Sequence, residues 1–530
     1  MRTAFFFTMT RLFNSRFASF LALGLLAILG ASIILYATPQ GLGLSDDSIA
    51  YIAGARSFLS GQGYREAWLA SNGSVTHFPP GFSSVLALVG LAGLDPLRGA
   101  RFVNSILFGA NAFLIGLIGW RMTRSQLAGI VLALLFLVNA SLLRVHAVAM
   151  SEPLYISFSL AAFLAFDRYH RENGNFWLVL AGCLVAFAYL TRYAGLALLA
   201  TFLIALFLLQ GTCRKSLTSA AIFIGSALPF FLGWSIRNWL VADNATNRML
   251  VYHPLTTENI EAGIYNFSVF LVPLETWRRA MIKIPNLFII IVSILTLTLL
   301  IWIVLIALKK FPRFSTEQPE IFSFTNALYI FGYLASILSS MLLFDASTKF
   351  KLRILAPIFV SLLILLVFLG HWMWQRRKLI LRGLVVLLGL FILVLSGLDT
   401  SNVVAALRKG GQGYASFQWY DSEAMAFLRR LPEDTRIYTN QPGPVYLYTD
   451  RPCYVLPDLV DPVTALPREG YEEGVSALQE DVLSGKAVLA LFKFGSESED
   501  VQTVYMQLAD GLFLAHDSHG DMIYTAFPQD

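Results

Sequence analysis

Stretches of about twenty apolar residues recur along this chain and alternate with short loops that carry Lys and Arg. An α-helix rises about 1.5 Å per residue, so a stretch of this length can cross the hydrocarbon core of a bilayer. The 530 residues are 56% hydrophobic and 14% charged, with a mean hydropathy of +0.63, whereas soluble proteins are about 45–50% apolar and about 25% charged. The sequence therefore predicts a polytopic membrane protein.

The apolar stretches predict about eleven membrane-spanning helices. They lie at residues 17–38, 101–120, 126–143, 153–167, 176–191, 194–209, 217–237, 286–308, 323–344, 354–374 and 379–398. Two short helices are favoured over one long helix between 176 and 209, because a continuous helix would carry Arg192 into the bilayer.

Basic residues in five loops set the orientation. With this assignment they fall on the side of the N-terminus, which itself carries Arg2, Arg11 and Arg16. The five groups are Arg121 with Arg124, Arg168 with Arg171, Arg214 with Lys215, Lys309 with Lys310 and Arg313, and Arg376 with Arg377 and Lys378. By the positive-inside rule the N-terminus is cytoplasmic, and an odd number of crossings places the C-terminus outside.

Composition divides the chain into a membrane domain, residues 1–398, and an extracytoplasmic domain, residues 399–530, where charge, Pro and Gly return. The first outer loop, residues 39–100, is far longer than a connection needs. In the second domain we predict a helix at 422–431 and strands at 436–439, 445–448 and 488–494. The predicted fold class is mainly α: a polytopic transmembrane helical bundle with a small extracytoplasmic α/β domain at its C-terminus.

Several function classes lack support. The chain has no G-x-x-x-x-G-K-[ST], no H-E-x-x-H and no convincing dinucleotide fingerprint, which argues against ATP-driven pumping, zinc proteolysis and nicotinamide chemistry. Its net charge of +5 is small for the length and lies in loops, so no nucleic-acid partner is expected. Cys183, Cys213 and Cys453 are too few and too scattered for a disulfide framework or a metal knuckle.

The first outer loop opens with Ser45-Asp46-Asp47-Ser48, and apolar residues then recur at helical spacing as far as Gly61. Ser45 is a good N-cap and Gly61 a good stop, so both aspartates are predicted to lie on the first turn of a helix near the outer membrane face. Two interpretations stay open. The acids complement the helix dipole, or they serve as a general base or as metal ligands.

The loop continues with His77-Phe78-Pro79-Pro80-Gly81 and an apolar segment that is too short to span and is predicted to lie in the membrane interface. Pro80 is interpreted as scaffold at a helix start, and a lone interfacial histidine such as His77 has many uses besides a functional one. Glu152 begins a helix at another outer turn; it is either an interface residue or, if the helices bundle, a partner of Asp46 at the same surface.

Cations recur on the predicted outer face, where the positive-inside rule does not favour them. They are Arg192, Arg237, Lys349, Lys351 and Arg353. Either they meet lipid headgroups or Asp345, or they bind the phosphate of a lipid that enters sideways from the bilayer, because the planar donors of arginine suit phosphate oxygens.

This layout resembles the GT-C superfamily of polytopic glycosyltransferases, in particular the branch with the lipid A aminoarabinose transferases, the protein O-mannosyltransferases and the RgtA/B/C/D-like enzymes. The resemblance covers nearly the whole chain. In the first outer loop it rests on the acidic pair Asp46-Asp47, the segment from Tyr51 to Gly61, which resembles an Ala-rich interfacial helix, and the element Phe78-Pro79-Pro80.

Three further segments resemble family motifs. Residues 188–195 are similar to a Leu-Thr-(Lys/Arg) turn, 234–238 to an Arg-Asn exit into an outer loop, and 353–357 to an Arg-Tyr-x-x-Pro helix start. Ile354 stands where tyrosine is common and Asp47 where glutamate is common. These departures leave the subfamily and the substrate open.

The resemblance implies a polyprenyl-phosphate sugar as donor and a lipid, polysaccharide or protein as acceptor, in a multi-pass protein of the cell membrane. Asp46 is assigned as the base that takes the acceptor proton, with Asp47 and Glu152 as further catalytic candidates, and a single base favours inversion. The candidates for binding the donor phosphate are Arg192, Arg237, Lys349 and Arg353. The remaining site candidates are Tyr51, His77 and Pro80. A divalent metal held by Asp46 and Asp47 is left open, and no other cofactor is expected.

Two rival functions remain. A transporter or flippase of lipid-linked sugars would bind the same headgroup, but it more often has broken helices at the bilayer midplane. A non-catalytic envelope assembly factor would recruit partners through the C-terminal domain. This alternative does not explain why the first outer loop is so long.

Overall fold

The structure is a computed structural model and describes residues 16–528, except for 173, 211, 243, 245–248, 273, 283–284, 311–319, 377 and 462. Four basic residues used above to predict the orientation lie outside the described residues: Arg2, Arg11, Arg313 and Arg377.

As far as Gly410 the described chain is mostly helical. The helices are α1 (Arg16–Ala37), α2 (Asp46–Leu59), α3 (Gly81–Leu91), α4 (Pro96–Thr123), α5 (Gln126–Leu137), α6 (Ala140–His146), α7 (Glu152–Glu172), α8 (Asn175–Thr191), α9 (Gly195–Leu209), α10 (Cys213–Ala242), α11 (Thr257–Leu271), α12 (Glu275–Ile282), α13 (Pro285–Lys310), α14 (Glu320–Leu343), α15 (Leu352–Gln375) and α16 (Leu379–Gly410).

Six helices of the described residues are long and apolar enough to cross a membrane: α1, α4, α10, α14, α15 and α16. A seventh span results if α5 and α6, which are bent by 66° at their junction, are taken together. The predicted count of eleven is therefore not confirmed. Part of the difference lies in α8 and α9, which have 17 and 15 residues, fewer than the roughly 20 that a perpendicular crossing needs.

The break predicted between two short helices near Arg192 is confirmed. Helix α8 ends at Thr191, and Arg192 has an extended backbone with φ −152° and ψ 136°. The chain resumes helical geometry at Gly195. Arg192 therefore lies at the junction of two helices, where its N–H donates to the Ala188 carbonyl at 2.9 Å and closes the last turn of α8.

Helices α1 and α4 approach closely where two glycines face each other. A Cβ atom built on Gly109 would collide with the carbonyl oxygen of Ala27, and one on Gly30 would come within 3.3 Å of the Gly109 Cα. Only glycine lets the two backbones come this close, because any side chain there would push the helices apart.

Contacts divide the chain into two compact units. The first, called the helical unit, comprises Met1–Pro39, His77–Phe82 and Arg101–Arg408. The second, called the α/β unit, comprises Gln40–Thr76, Ser83–Ala100 and Lys409–Asp530. Most of the segment predicted as the first outer loop thus packs with the C-terminal part of the chain.

The C-terminal part of the α/β unit adds short helices and strands. They are α17 (Phe417–Tyr420), α18 (Glu423–Arg430), β1 (Arg436–Thr439), α19 (Pro442–Thr449), β2 (Tyr454–Val455), α20 (Tyr471–Leu483), β3 (Ala487–Leu491), a 3₁₀ turn (Phe494–Ser496), α21 (Glu499–Leu508), β4 (Phe513–Ser518) and β5 (Asp521–Thr525).

The strands form one sheet in the order β2-β1-β3-β5-β4, in which β1 is parallel to β2 and β3 while β5 is antiparallel to β3 and β4. Strand β3 is central and fully buried. Alternate residues point to opposite faces of a strand, so Val488 and Ala490 join one core cluster and Leu489 and Leu491 the other. The α/β class predicted for this region is confirmed.

One predicted strand is wrong. Residues 445–448 lie in helix α19, which has Pro at its N-terminal positions and ends at Asp450 in the left-handed conformation. The sequence Val-Tyr-Leu-Tyr has high strand propensity, but proline preorganises the first turn of a helix, and the local start signal prevails over propensity.

Candidate active site

Asp46 and Asp47 occupy the first turn of α2, as predicted. Ser45 is the N-cap, and its backbone N–H donates to the Ser48 hydroxyl at 3.1 Å in a capping box. Asp46 is exposed and Asp47 half-buried. Tyr51, a further site candidate, is buried at 2% exposure. The rest of α2 packs into the α/β unit, so the two carboxylates stand at the start of an otherwise buried helix.

A tyrosine from the C-terminal segment contacts this helix start. The Tyr414 hydroxyl donates a hydrogen bond to Asp46 Oδ1 at 2.7 Å, and it lies 3.1 Å from Gln441 Oε1. Burial, together with the charges of Asp46 and Asp47, raises the pKa of the Tyr414 phenol well above its usual value. The phenol therefore stays protonated and can donate at neutral pH. No sequence motif pointed to Tyr414, which lies 368 residues from Asp46 along the chain.

In the helical unit, the start of α7 holds an ion-pair cluster. Glu152 is fully buried, and its Oε1 lies 2.7 Å from Arg192 Nη1 and 3.9 Å from Arg353 Nη1. Arg192 Nη1 also donates to the Ser151 hydroxyl at 3.1 Å. We call these four residues the Glu152 cluster. The cluster holds two guanidinium groups and one carboxylate.

A buried polar network fixes the backbone from which Glu152 projects. The His146 Nδ1 lies 2.7 Å from the Leu142 carbonyl, so it must be the donor, which makes Nε2 an acceptor. The Asn111 amide then uses its two protons on His146 Nε2 and on the Pro153 carbonyl, both at 3.0 Å. Sequence reasoning did not connect these residues; the available signal was a polar Asn inside an apolar span.

The two other predicted phosphate ligands have different partners. Lys349 forms an ion pair with Glu258, which is 72% exposed at the start of α11. Arg237 donates to the Asn238 side chain at 3.0 Å and lies over the Trp234 ring at 5.1 Å. Of the four cations, the described contacts gather Arg192 and Arg353 on one carboxylate, with Arg237 and Lys349 engaged elsewhere.

His77 and Pro80 lie in the short stretch that belongs to the helical unit. His77 is half-buried, with its ring 4.4 Å from that of Phe78. Pro80 directly precedes α3, the position expected of a proline that starts a helix. A Cβ on the following Gly81 would come within 2.7 Å of the Leu190 carbonyl oxygen, so the Pro-Pro-Gly element approaches the end of α8 closely.

Metal binding has limited support from the donor set. Over the part of the chain that the structure describes, no group of three or more His, Cys, Asp or Glu side chains is placed to hold a metal ion. Asp46 and Asp47 offer carboxylate oxygens at one helix start, which by themselves do not make a coordination shell.

The sequence profile of the dolichyl-phosphate-mannose-protein mannosyltransferase family matches residues 88–240. No curated protein sequence matches the chain.

Solved structures are similar over nearly the whole chain. ArnT from Cupriavidus metallidurans bound to undecaprenyl phosphate has 14% sequence identity and a TM-score of 0.50, with 94% of this chain and 97% of that chain covered. The Archaeoglobus fulgidus oligosaccharyltransferase, in complex with Zn and sulfate, has 12% identity and a TM-score of 0.55, with 94% and 73% covered. The oligosaccharyltransferase AglB from the same organism, in complex with an inhibitory peptide and a dolichol-phosphate, has 12% identity and a TM-score of 0.52, with 97% and 75% covered. The chain therefore shares the fold of these membrane proteins over nearly its whole length, and residues 88–240 match the dolichyl-phosphate-mannose-protein mannosyltransferase family.

Proposed function

We propose that the protein transfers a monosaccharide from a polyprenyl-phosphate-linked donor to an acceptor hydroxyl at the extracytoplasmic face, with inversion at the anomeric carbon. The observation that carries the proposal is the Glu152 cluster, in which one buried carboxylate gathers Arg192 and Arg353. Planar guanidinium donors match phosphate oxygens, and the cluster brings two of them to one place. The names of the similar proteins, which include dolichyl and undecaprenyl phosphates, agree with this assignment.

In the proposed reaction the acidic residue acts on the acceptor and the arginines act on the leaving phosphate. The acceptor oxygen forms a bond to the anomeric carbon, and the bond from that carbon to the phosphate oxygen breaks with its electron pair. Asp46 takes the acceptor proton, and Arg192 and Arg353 stabilise the charge that grows on the leaving phosphate. Because the Glu152 cluster is preorganised, its contribution falls mainly on the transition state. One base and direct displacement invert the configuration.

The remaining candidates support these two roles. Asp47 orients Asp46 or contacts a metal if the reaction uses one, and Arg237 and Lys349 add positive charge for the phosphate. Tyr51, His77 and Pro80 shape the site. The N-terminus is assigned to the cytoplasm and residues 399–530 to the extracytoplasmic side of the cell membrane. The sugar and the acceptor are left open within the classes named above.

The test is transfer of radiolabelled sugar from a panel of polyprenyl-phosphate sugars by purified protein in lipid nanodiscs. Asp46→Asn should lower the rate at least about a hundredfold, the usual scale of a general base. Arg353→Ala should lower kcat about a hundredfold with little change in KM, because the interaction grows with the leaving charge. The matched control is Lys351→Ala, an exposed cation two residues earlier, which should transfer at the wild-type rate.

Three outcomes would contradict parts of the proposal. Label that crosses the bilayer unchanged would indicate transport. Transfer that survives Asp46→Asn would move the base to Asp47 or Glu152. A product that retains the anomeric configuration by NMR would reject direct displacement.

A further inference from the structure

The C-terminal segment reaches the start of α2 through three separate contacts within the α/β unit. The first is backbone pairing: Leu44 N–H donates to the Gln412 carbonyl at 3.3 Å, and Tyr414 N–H donates to the Leu44 carbonyl at 3.0 Å. Gly413 lies in this pairing with φ +60°, and a Cβ there would collide with the Leu44 carbonyl oxygen. Leu44 is two residues before Asp46, so the pairing fixes the backbone that leads into the acidic turn.

The second contact is the Tyr414 hydroxyl on Asp46 Oδ1 at 2.7 Å. A phenol has a single proton, which goes to the nearer, charged oxygen. The Tyr414 oxygen can still accept a hydrogen bond from Gln441 if the Gln441 amide is turned so that its NH₂ group faces the phenol. The hydrogen-bond network decides between the two orientations of such an amide. Gln441 lies two residues after the end of β1 and is the N-cap of α19.

The third contact is steric. Gly443, in the first turn of α19, faces the acid so closely that an added Cβ would lie 3.2 Å from Asp46 Oδ1 and 3.2 Å from Ile49 Cγ1. Gly443 thus lies beside the same carboxylate oxygen that accepts the Tyr414 hydrogen bond, and its added Cβ would also be 3.4 Å from Tyr414 Cε2. Both come from the segment that follows the last predicted membrane helix.

We propose that Tyr414 is a positioning residue for the reaction: by occupying Oδ1 of Asp46, it fixes the carboxylate rotamer and presents Oδ2 to the acceptor hydroxyl. The inference rests on the proposed function, in which Asp46 is the base. It gives the C-terminal part of the chain a direct share in the chemistry, because the residue that orients the base comes from outside the membrane-spanning helices. It also selects Asp46 over Asp47 as the base.

The rate test compares Tyr414→Phe with wild type in the nanodisc assay. Loss of one oriented hydrogen bond should lower kcat about tenfold and leave the KM for the donor unchanged. Gly443→Ala keeps the hydroxyl but crowds the carboxylate, so it should also lower kcat. Tyr438→Phe is the matched control, because that hydroxyl bonds to Asp481 in the same unit at 2.8 Å, and its kcat should equal that of wild type.

A second measurement does not depend on activity. 3-Fluorotyrosine placed at position 414 is titrated by ¹⁹F NMR in wild type and in Asp46→Asn. Because Asp46 raises the pKa of this phenol, the substitution should let it ionise at lower pH. Fluorotyrosine at the exposed position 420 serves as control and should titrate identically in both proteins.

The outcomes separate the two proposals. The positioning role is overturned if Tyr414→Phe has the kcat of wild type. It is also overturned if fluorotyrosine at position 414 titrates at the same pH in wild type and in Asp46→Asn. If the wild type transfers no sugar from any donor, the proposed function fails, and the titration alone decides whether Tyr414 holds Asp46.

Discussion

Glu152 and Glu258 each pair with a basic side chain, but in very different surroundings. Glu152 is fully buried against arginines that are 19% and 29% exposed, whereas Glu258 and its partner Lys349 are 72% and 39% exposed. Exposed pairs gain little because water screens the charges, while a buried charge depends on its partners. The two acids therefore differ in what their removal costs.

Glu152→Gln should lower the free energy of unfolding by about 3–5 kcal/mol, because two buried or half-buried guanidinium groups lose their carboxylate. Glu258→Gln should cost only about 0–1 kcal/mol. Thermal unfolding of both variants in the same nanodiscs checks this. Equal shifts of Tm for the two would show that the Glu152 cluster is not a coupled unit.

The sequence predicted the types of residue in the site better than their partners. Arg192 stood out because a continuous helix would have carried it into the bilayer, and Arg353 because it runs against the positive-inside rule. Both arginines also contact residues that closely precede Glu152. Arg192 is 41 residues from Ser151 along the chain, and Arg353 is 203 residues from Met150. Such separations depend on how the helices pack, which periodicity does not encode.

At the scale of elements, helix starts carried the most reliable signal. Ser45 before two aspartates predicted the start of α2, and the structure confirms it. The strand predicted at 445–448 is wrong because the prediction gave more weight to the strand propensity of these residues than to the prolines before them, which start a helix. Span counting was limited by length: short helices such as α9 have 15 residues, and the criterion of about twenty does not decide whether they cross.

The close approach of α1 and α4 gives a test at this scale. Gly109→Ala should lower the free energy of unfolding by about 1–3 kcal/mol, because the new methyl group meets the Ala27 carbonyl oxygen and forces the helices apart. Gly24→Ala on α1, where nothing lies within 4 Å of the added Cβ, is the matched control. Similar Tm values for the two variants would contradict tight packing at Gly109.

At the scale of the whole molecule, orientation remains a prediction from loop charge. If the N-terminus is cytoplasmic and the number of spans odd, alkaline phosphatase fused after residue 528 should be active in a bacterial host, since it folds only outside the cytoplasm. A fusion within the basic loop near Arg121 and Arg124 should be inactive and serves as control. If the loop fusion is active and the C-terminal fusion is inactive, the topology is the reverse of the predicted one.

The α/β unit is assembled from an early and a late part of the chain. Residues 101–408, a span of 308, separate its two early segments from its late one. At translation speeds of about 5–20 residues per second, about 15–60 s pass between their appearances. The acidic helix is thus made long before the tyrosine that binds it. If Tyr414 positions Asp46 as proposed, the carboxylate gains its orientation only after the late segment has been synthesised.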